Sequence, residues 1–255
     1  MRRDGLSEDL PANRGIVLIH GAMHGGWCWD RLRPHLQHQS LAIDLPGRGP
    51  TAATSDLSVR DYIAHTERAV VERGWHEVVV IAHSFGGVTA CGLADAIRAK
   101  VRHVVFIASV IPLPGARAID IAPKALRRPL ERGFGHAVAR GGSYKLPDRV
   151  ARYLFCNDFN PAEIRDLQRR LCAEPASMVF ERMEFGAPEG ISMSWIRPRH
   201  DRALSRRVQD QMIRRLGNTT VWEMDGGHDI MISRPLELAD ILNGITERAF
   251  LSRRG

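Results

Sequence analysis

The chain has 255 residues, of which 44% are hydrophobic and 25% are charged. This composition is typical of one globular α/β-sized domain with a sizeable core, and it excludes disordered and fibrous proteins. No apolar run approaches the ~20 residues of a membrane span, and no apolar segment follows the N-terminal arginine pair as in a secretory signal. We therefore expect a cytoplasmic protein whose four cysteines serve as small hydrophobic side chains.

The net charge of +7 and the pI near 9.8 raise the question of a nucleic-acid partner. Most of the positive charge is arginine that alternates with acidic residues, as in residues 163–170, which is typical of a solvated helix face. Aromatic residues that could stack on bases are not interleaved with it. We expect neither a nucleic-acid nor a membrane partner, whereas an acidic carrier protein is compatible with the arginine-rich surface.

Apolar strand segments alternate with helical segments along the chain. Strands are predicted at residues 15–19, 41–45, 78–82, 103–108, 191–197 and 219–224. Helices are predicted at residues 26–38, 58–73, 84–98 and 235–250. This alternation predicts an α/β fold with a mainly parallel six-stranded sheet and flanking helices.

Residues 112–189 break the alternation with short amphipathic helices separated by prolines. We predict that they form a helical cap over the carboxyl edge of the sheet, where ligands bind in open α/β folds. The predicted organisation is a poorly ordered leader at 1–13, a core at 14–111 and 190–255, and a cap insertion at 112–189. The sequence does not separate pocket lining from core for several large residues, namely Met23, Phe155, Phe159 and Trp195.

Ser84 lies between a predicted buried strand and a predicted helix, in the segment VVVIAHSFGG at residues 78–87. A serine at such a sharp turn is held in the open beside helix amides, which is the nucleophile-elbow arrangement. Ala82 stands where a glycine is usual. The alternative interpretation is that Ser84 only caps the helix.

A serine hydroxyl needs a base to accept its proton and a third group to orient that base. His228 is the candidate base, because it follows the last predicted strand behind two glycines; the alternative is an ordinary loop histidine. Asp201, in the loop after the strand at 191–197, is the candidate acid. Asp225 and Asp229 are alternatives, and for Asp201 the competing interpretation is a salt bridge to a neighbouring arginine.

Acyl transfer also needs N–H donors for the developing oxyanion. One is expected from the backbone of Phe85, directly after the serine. The second is expected from Ala22, in the loop after the first strand, where Gly21 leaves room for the backbone to turn inward.

Three segments carry a family resemblance: HGAMHGGWCW at residues 20–29, DLPGRG at 44–49 and AHSFGG at 82–87. They resemble the α/β-hydrolase family, and within it the branch of plant methylesterases, hydroxynitrile lyases and bacterial pyrethroid-type carboxylesterases. GHDIMISRP at residues 227–235 resembles the histidine region of that branch. The resemblance implies the α/β-hydrolase fold, and members of the branch often form homodimers, although no sequence feature here indicates one.

The branch contains two chemistries. Its lyases have a threonine at the position of Gly21 and a lysine directly after the catalytic histidine, where this chain has Asp229. Its esterases have glycine at the Gly21 position. The resemblance therefore implies an esterase, and neither it nor any motif implies a metal or an organic cofactor.

The function predicted from the sequence is a serine hydrolase that cleaves a carboxylic ester of a small, largely apolar substrate through an acyl-enzyme. Ser84, Asp201 and His228 are its expected catalytic residues, with the amides of Ala22 and Phe85 as the oxyanion hole. One alternative is a thioesterase or lactonase that acts on a biosynthetic intermediate. Another is a binding protein that keeps the fold without turnover.

Overall fold

The computed structural model describes residues 13–48, 57–122, 124–140 and 142–252, with the side chains of 124–126 left out. Its strands are β1 (Arg14–Ile19), β2 (Ser40–Ile43), β3 (Glu77–His83), β4 (Val101–Ile107), β5 (Ser143–Tyr144), β6 (Glu174–Pro175), β7 (Ser192–Pro198) and β8 (Thr220–Met224). Its α-helices are α1 (Val59–Glu72), α2 (Gly86–Ala96), α3 (Lys124–Ala139), α4 (Asp148–Phe155), α5 (Pro161–Arg170), α6 (Arg206–Leu216), α7 (Ile230–Ser233) and α8 (Pro235–Leu251).

Six strands form one sheet in the spatial order β2-β1-β3-β4-β7-β8, and every neighbouring pair is parallel. The central strands carry apolar runs at residues 78–82 in β3 and 104–107 in β4, as expected of strands that are covered on both faces. Helices α1, α2 and α6 pack on one face, and α8 packs on the other. The predicted parallel sheet with flanking helices is confirmed, and all its carboxyl ends meet at one edge.

The predicted helix at 26–38 is wrong. The segment forms two short 3₁₀ turns, Gly26–Trp29 and Arg33–His35. Pro34 disfavours an α conformation at the residue before it and lacks an N–H, so a continuous helix cannot pass. The apolar side chains that suggested a helix are nevertheless buried, because Trp29 and Leu32 pack under the sheet.

Residues 112–189, named here the cap segment, carry α3, α4, α5 and a two-stranded antiparallel sheet of β5 and β6. The sequence pattern gave no indication of this small sheet. The segment has its own apolar cluster, which includes Phe134, Phe155 and Leu167 and also takes in Met23 from the loop after β1. The boundaries of the cap remain a prediction.

Three further predictions concern the N-terminal leader, the cysteines and membrane-spanning segments. Residues 1–12 of the predicted leader lie outside the described residues, and Asn13 donates from Nδ2 to the Gly74 carbonyl at 2.7 Å. All four cysteines are free thiols, three of them buried. Within the described ranges, no helix has the length and apolar character that crossing a membrane requires.

Candidate active site

Ser84 lies at a strained turn at the carboxyl edge of the sheet, directly after β3 and just before α2. Its φ is +50°, in the left-handed region that non-glycine residues seldom adopt. Its N–H donates to the Ile107 carbonyl at 3.1 Å, and its carbonyl accepts from the Val110 N–H at 2.8 Å. A Cβ at Gly86 would lie 2.5 Å from the His20 carbonyl oxygen, so the turn closes only with glycine there. The surrounding backbone therefore imposes this conformation.

The hydroxyl of Ser84 does not cap α2. The N-cap position belongs to Phe85, and no side chain caps that helix end. The Ser84 Oγ lies 3.1 Å from His228 Nε2 instead. The capping interpretation is therefore wrong, and the serine faces a base.

The loops after β7 and β8 bring Asp201 and His228 together. The His228 Nδ1–H donates to Asp201 Oδ2 at 2.9 Å, which leaves Nε2 as the acceptor toward Ser84. The other carboxylate oxygen, Oδ1, accepts from the amides of Ala203 and Leu204, both at 2.8 Å. Both side chains of the pair are buried, with 1% and 0% exposure. Backbone amides thus fix one oxygen of the carboxylate, and the other oxygen accepts from the imidazole.

The alternative acids and the competing salt bridge have other positions. Asp225 pairs with the exposed His200, and the Asp229 carboxylate lies 3.1 Å from His24 Nε2. Of the arginines next to Asp201, Arg199 pairs with a glutamate of β8, and Arg202 lies over a tyrosine ring of the cap segment. Asp201 is therefore the carboxylate that the structure places on the ring of His228.

The surroundings of His228 act on its pKa in opposite directions. Burial disfavours the charged imidazolium and lowers the pKa, but the charge and hydrogen bond of Asp201, with a contribution from Asp229, raise it above the ordinary 6.5. The net pKa is raised. The imidazole can therefore hold a proton in the buried site, as a base in acyl transfer must.

Two backbone N–H groups flank the serine. Among the described residues, neither the Ala22 nor the Phe85 N–H has a protein acceptor. A Cβ at Gly21 would lie 2.7 Å from the Ser84 Cβ, so the loop after β1 passes directly beside the nucleophile position. Both predicted oxyanion donors are thus free to bind an oxygen, and Gly21 permits the close approach.

A second buried cluster, not predicted from the sequence, lies beside the serine. The His83 Nε2–H donates to the His228 carbonyl at 3.1 Å, and Asp229 binds His24. Burial, and then the charge of His228, lowers the pKa of His83, which is therefore neutral. The signal was present, since both histidines lie within the quoted motifs and Asp229 follows His228. These residues attach the oxyanion loop and the serine strand to the histidine loop.

The cap segment reaches the base through an aromatic ring. Phe155, at the end of α4, stacks on His228 with ring centroids 5.5 Å apart and planes at 22°. Met23 and Phe159 join the same apolar cluster, whereas Trp195 is buried in the sheet core and donates to Gln209. Phe155 therefore borders the site, whereas Trp195 belongs to the core of the sheet.

One group of three side chains in the described part of the chain has the spacing of metal ligands: His83, His228 and Asp229, whose ligand atoms lie within 4.8 Å of one another. Both ring nitrogens of His228 are already engaged, with Ser84 and Asp201. A metal ion here would have to displace one of them, so the donor set suits proton transfer better than metal binding.

Three curated relatives align with this chain over most of their own length. An alpha-hydroxynitrile lyase of Arabidopsis thaliana is 26% identical over 249 residues, which cover 90% of this chain and 96% of the lyase. A carbendazim hydrolyzing esterase of Nocardioides sp. is 29% identical over 178 residues, 65% of this chain and 71% of that enzyme. Methylesterase 7 of Arabidopsis thaliana is 25% identical over 262 residues, 94% of this chain and 99% of the methylesterase.

Solved structures share the fold. An extracellular alpha/beta-hydrolase from a Paenibacillus species has a TM-score of 0.82 at 19% identity, over 89% of this chain and 97% of that one. A pyrethroid hydrolase from Sphingobium faniae has a TM-score of 0.70 at 24% identity, over 93% and 98%. The resemblance to plant methylesterases, hydroxynitrile lyases and bacterial esterases is confirmed. A family model described as the alpha/beta hydrolase family matches residues 16–241, and the chain belongs to that family.

Proposed function

We propose that the protein is a serine carboxylesterase. The observation that carries this proposal is the continuous chain of contacts from Asp201 through His228 to the Ser84 hydroxyl, 2.9 and 3.1 Å long. The three side chains come from three different strand ends, and their order of roles is that of a hydrolytic triad. Relatives named as esterases support hydrolysis as the general class of activity.

Formation of the acyl-enzyme begins when His228 Nε2 accepts the Ser84 proton as Oγ attacks the ester carbonyl carbon. The carbonyl oxygen becomes an oxyanion, and the free amides of Ala22 and Phe85 are the donors that face it. When the tetrahedral intermediate collapses, the C–O bond to the alcohol breaks. The alcohol leaves with the proton from His228, and the acyl group stays on Ser84.

Deacylation repeats the sequence with water. His228 accepts a proton from water, the resulting hydroxide attacks the acyl carbon, and the proton then returns to Ser84 Oγ as the acid leaves. Asp201 holds the ring of His228 and stabilises the imidazolium formed in each half. The cycle needs no other reactant.

The apolar side chains of the cap segment support the proposed substrate class. Apolar side chains of its cluster meet the loop of Met23, and Phe155 covers one face of the base. Such a surrounding favours a small, largely apolar ester and lowers the local water content, which strengthens the electrostatic contacts. Binding to an acidic carrier protein, formation of a homodimer and location in the cytoplasm remain predictions.

The experiment is hydrolysis of short p-nitrophenyl acyl esters by the wild type and by Ser84→Ala, since removal of a triad nucleophile costs up to ~10⁶ in turnover. The matched control is Ser205→Ala, because Ser205 is an exposed serine at the start of α6 whose side chain caps nothing. An organophosphonate should label the wild type and the control but not Ser84→Ala.

The alternatives give different results in the same assay. Faster turnover of acyl thioesters or lactones than of oxyesters would favour the second chemistry, and loss of that preference at high salt would support an acidic carrier. Tight ligand binding without product in any assay would instead favour the binding protein. Equal turnover by wild type and Ser84→Ala would refute the proposal.

A further inference from the structure

The loop that presents the Ala22 amide contains a strained residue. Met23 has a φ of +64° and is buried, with 3% exposure. An unbranched residue other than glycine pays a conformational cost in this region, and it persists there only when surrounding contacts hold it. The conformation of this loop therefore depends on what binds Met23.

Both backbone polar groups of Met23 are bound by the cap segment. Its N–H donates to Glu174 Oε2 at 2.7 Å, and its carbonyl accepts from the Cys172 N–H at 2.9 Å. On the other side of Ala22, the Gly21 carbonyl lies 2.8 Å from His20 Nδ1. Ala22 thus lies between a core anchor at Gly21 and a cap anchor at Met23.

The cap anchor is a fully buried carboxylate with its own charge partner. The Arg48 Nη2 group lies 2.9 and 2.8 Å from the two carboxylate oxygens of Glu174, whose side chain is 0% exposed. The Tyr62 hydroxyl donates to Oε1 at 3.1 Å. Burial disfavours the charged Arg48, but the charge and hydrogen bond of Glu174, together with Tyr62 and Cys172, raise the pKa of the guanidinium. The paired guanidinium and the tyrosine hydroxyl therefore fix the carboxylate, and the bond that it accepts from Met23 belongs to an ion-paired network.

The geometry points to Glu174 as a positioning residue that lets the cap segment set the oxyanion loop for turnover. Glu174 does not touch the reacting atoms. It holds the peptide between Ala22 and Met23, which directly follows the peptide that carries the Ala22 N–H. The loop is thereby restrained so that this N–H faces the position of the oxyanion before substrate arrives. The role rests on the proposed esterase function, because the loop matters only if an oxyanion forms.

The test compares Glu174→Ala and Glu174→Gln with the control Glu181→Ala. Glu181 is also a cap carboxylate, and it accepts from the backbone N–H of Val59 at 2.9 Å. Val59 is the first residue of α1, so this contact does not involve the oxyanion loop. Each variant is assayed for kcat and KM on p-nitrophenyl esters. Hydrogen exchange of the backbone at residues 20–25 is measured in the same proteins.

Loss of an oxyanion donor costs roughly 10²–10³ in turnover, so misplacing one by Glu174→Ala should cost about 10- to 100-fold in kcat, with little change in KM. Exchange at residues 20–25 should become faster in Glu174→Ala only. Glu174→Gln should recover part of kcat, because its amide oxygen can still accept the Met23 N–H. If the alanine variant does not fold, the glutamine variant should still lose kcat several-fold more than Glu181→Ala does.

Equal kcat values in the Glu174 variants and in Glu181→Ala, with unchanged exchange at residues 20–25, would overturn the inference while leaving the esterase intact. A wild type that hydrolyses no ester would instead refute the proposed function. In that case the exchange comparison alone would decide whether Glu174 holds the loop.

Discussion

The two sides of the candidate active site are held by different parts of the molecule. On the proton-transfer side, Asp201 and His228 are fixed by loops of the sheet core, through backbone amides close in sequence to Asp201. On the oxyanion side, Met23 is fixed by Glu174 of the cap segment, 151 residues away. In the proposed mechanism, the core supplies the groups that move protons, and the cap segment helps to place a group that stabilises charge.

This difference indicates how the two functions of the site depend on the cap. A cap that moved away would leave the contact between Ser84 and His228 intact, since both belong to the core, but it would release Met23. The cap segment would then act on the rate of the chemical step as well as on substrate choice. Three substitutions test that division, beginning with the largest expected effect.

Asp201→Asn should break the proton-transfer side with the oxyanion side intact. The amides of Ala203 and Leu204 should still donate to the side-chain oxygen of the asparagine, so the asparagine NH₂ group would face His228 Nδ1. A donor at that position imposes the tautomer of His228 with a proton on Nε2. Turnover should fall by roughly 10⁴, as for the same change in a comparable triad on an unrelated fold. The measurement is kcat on p-nitrophenyl esters.

The same variant has a pH signature. The neutral imidazole is the base, so kcat/KM of the wild type should rise with pH through a midpoint above 6.5, because Asp201 raises the pKa of His228. Without the carboxylate charge, that midpoint should move to lower pH. A midpoint unchanged by Asp201→Asn would contradict the assigned pair.

Gly21→Ala should disturb the oxyanion side first. Its new Cβ would lie 2.7 Å from the Ser84 Cβ, so either the loop or the serine must shift. The expected loss in kcat approaches the ~10²–10³ of a missing oxyanion donor. Gly135→Ala is the control, because a Cβ there meets nothing within 4 Å. A Gly21→Ala enzyme as active as this control would show that the loop tolerates displacement.

Asp158→Ala should have the smallest effect. Asp158 Oδ2 accepts from the Gly227 N–H at 2.8 Å and the Ser233 hydroxyl at 2.7 Å, so this cap residue also touches the histidine loop. Core contacts hold that loop independently, including the bond from His83 to the His228 carbonyl. We expect about a tenfold loss in kcat, or about 1.4 kcal/mol. If Asp158→Ala lost more kcat than Glu174→Ala, the cap segment would support the histidine loop more strongly than the oxyanion loop, which contradicts the division described above.

The sequence was informative where local pattern and chemistry coincide. The apolar run before Ser84 predicted both the strand and its abrupt end, and the strand ends of a parallel sheet share one edge. Ser84, Asp201 and His228 could therefore be placed together without coordinates. The helix predicted at 26–38 failed because amphipathic spacing also suits two 3₁₀ turns, and Pro34 decided between them.

The sequence by itself determined the sheet, the serine turn and the candidate acid, base and oxyanion amides, because each of these follows from patterns within about ten residues. Only the tertiary structure decided that Asp229 binds His24, that Phe155 covers the base and that Glu174 holds Met23. Those contacts join segments up to 205 residues apart. Burial within the folded chain selects such pairs, and no local pattern encodes them.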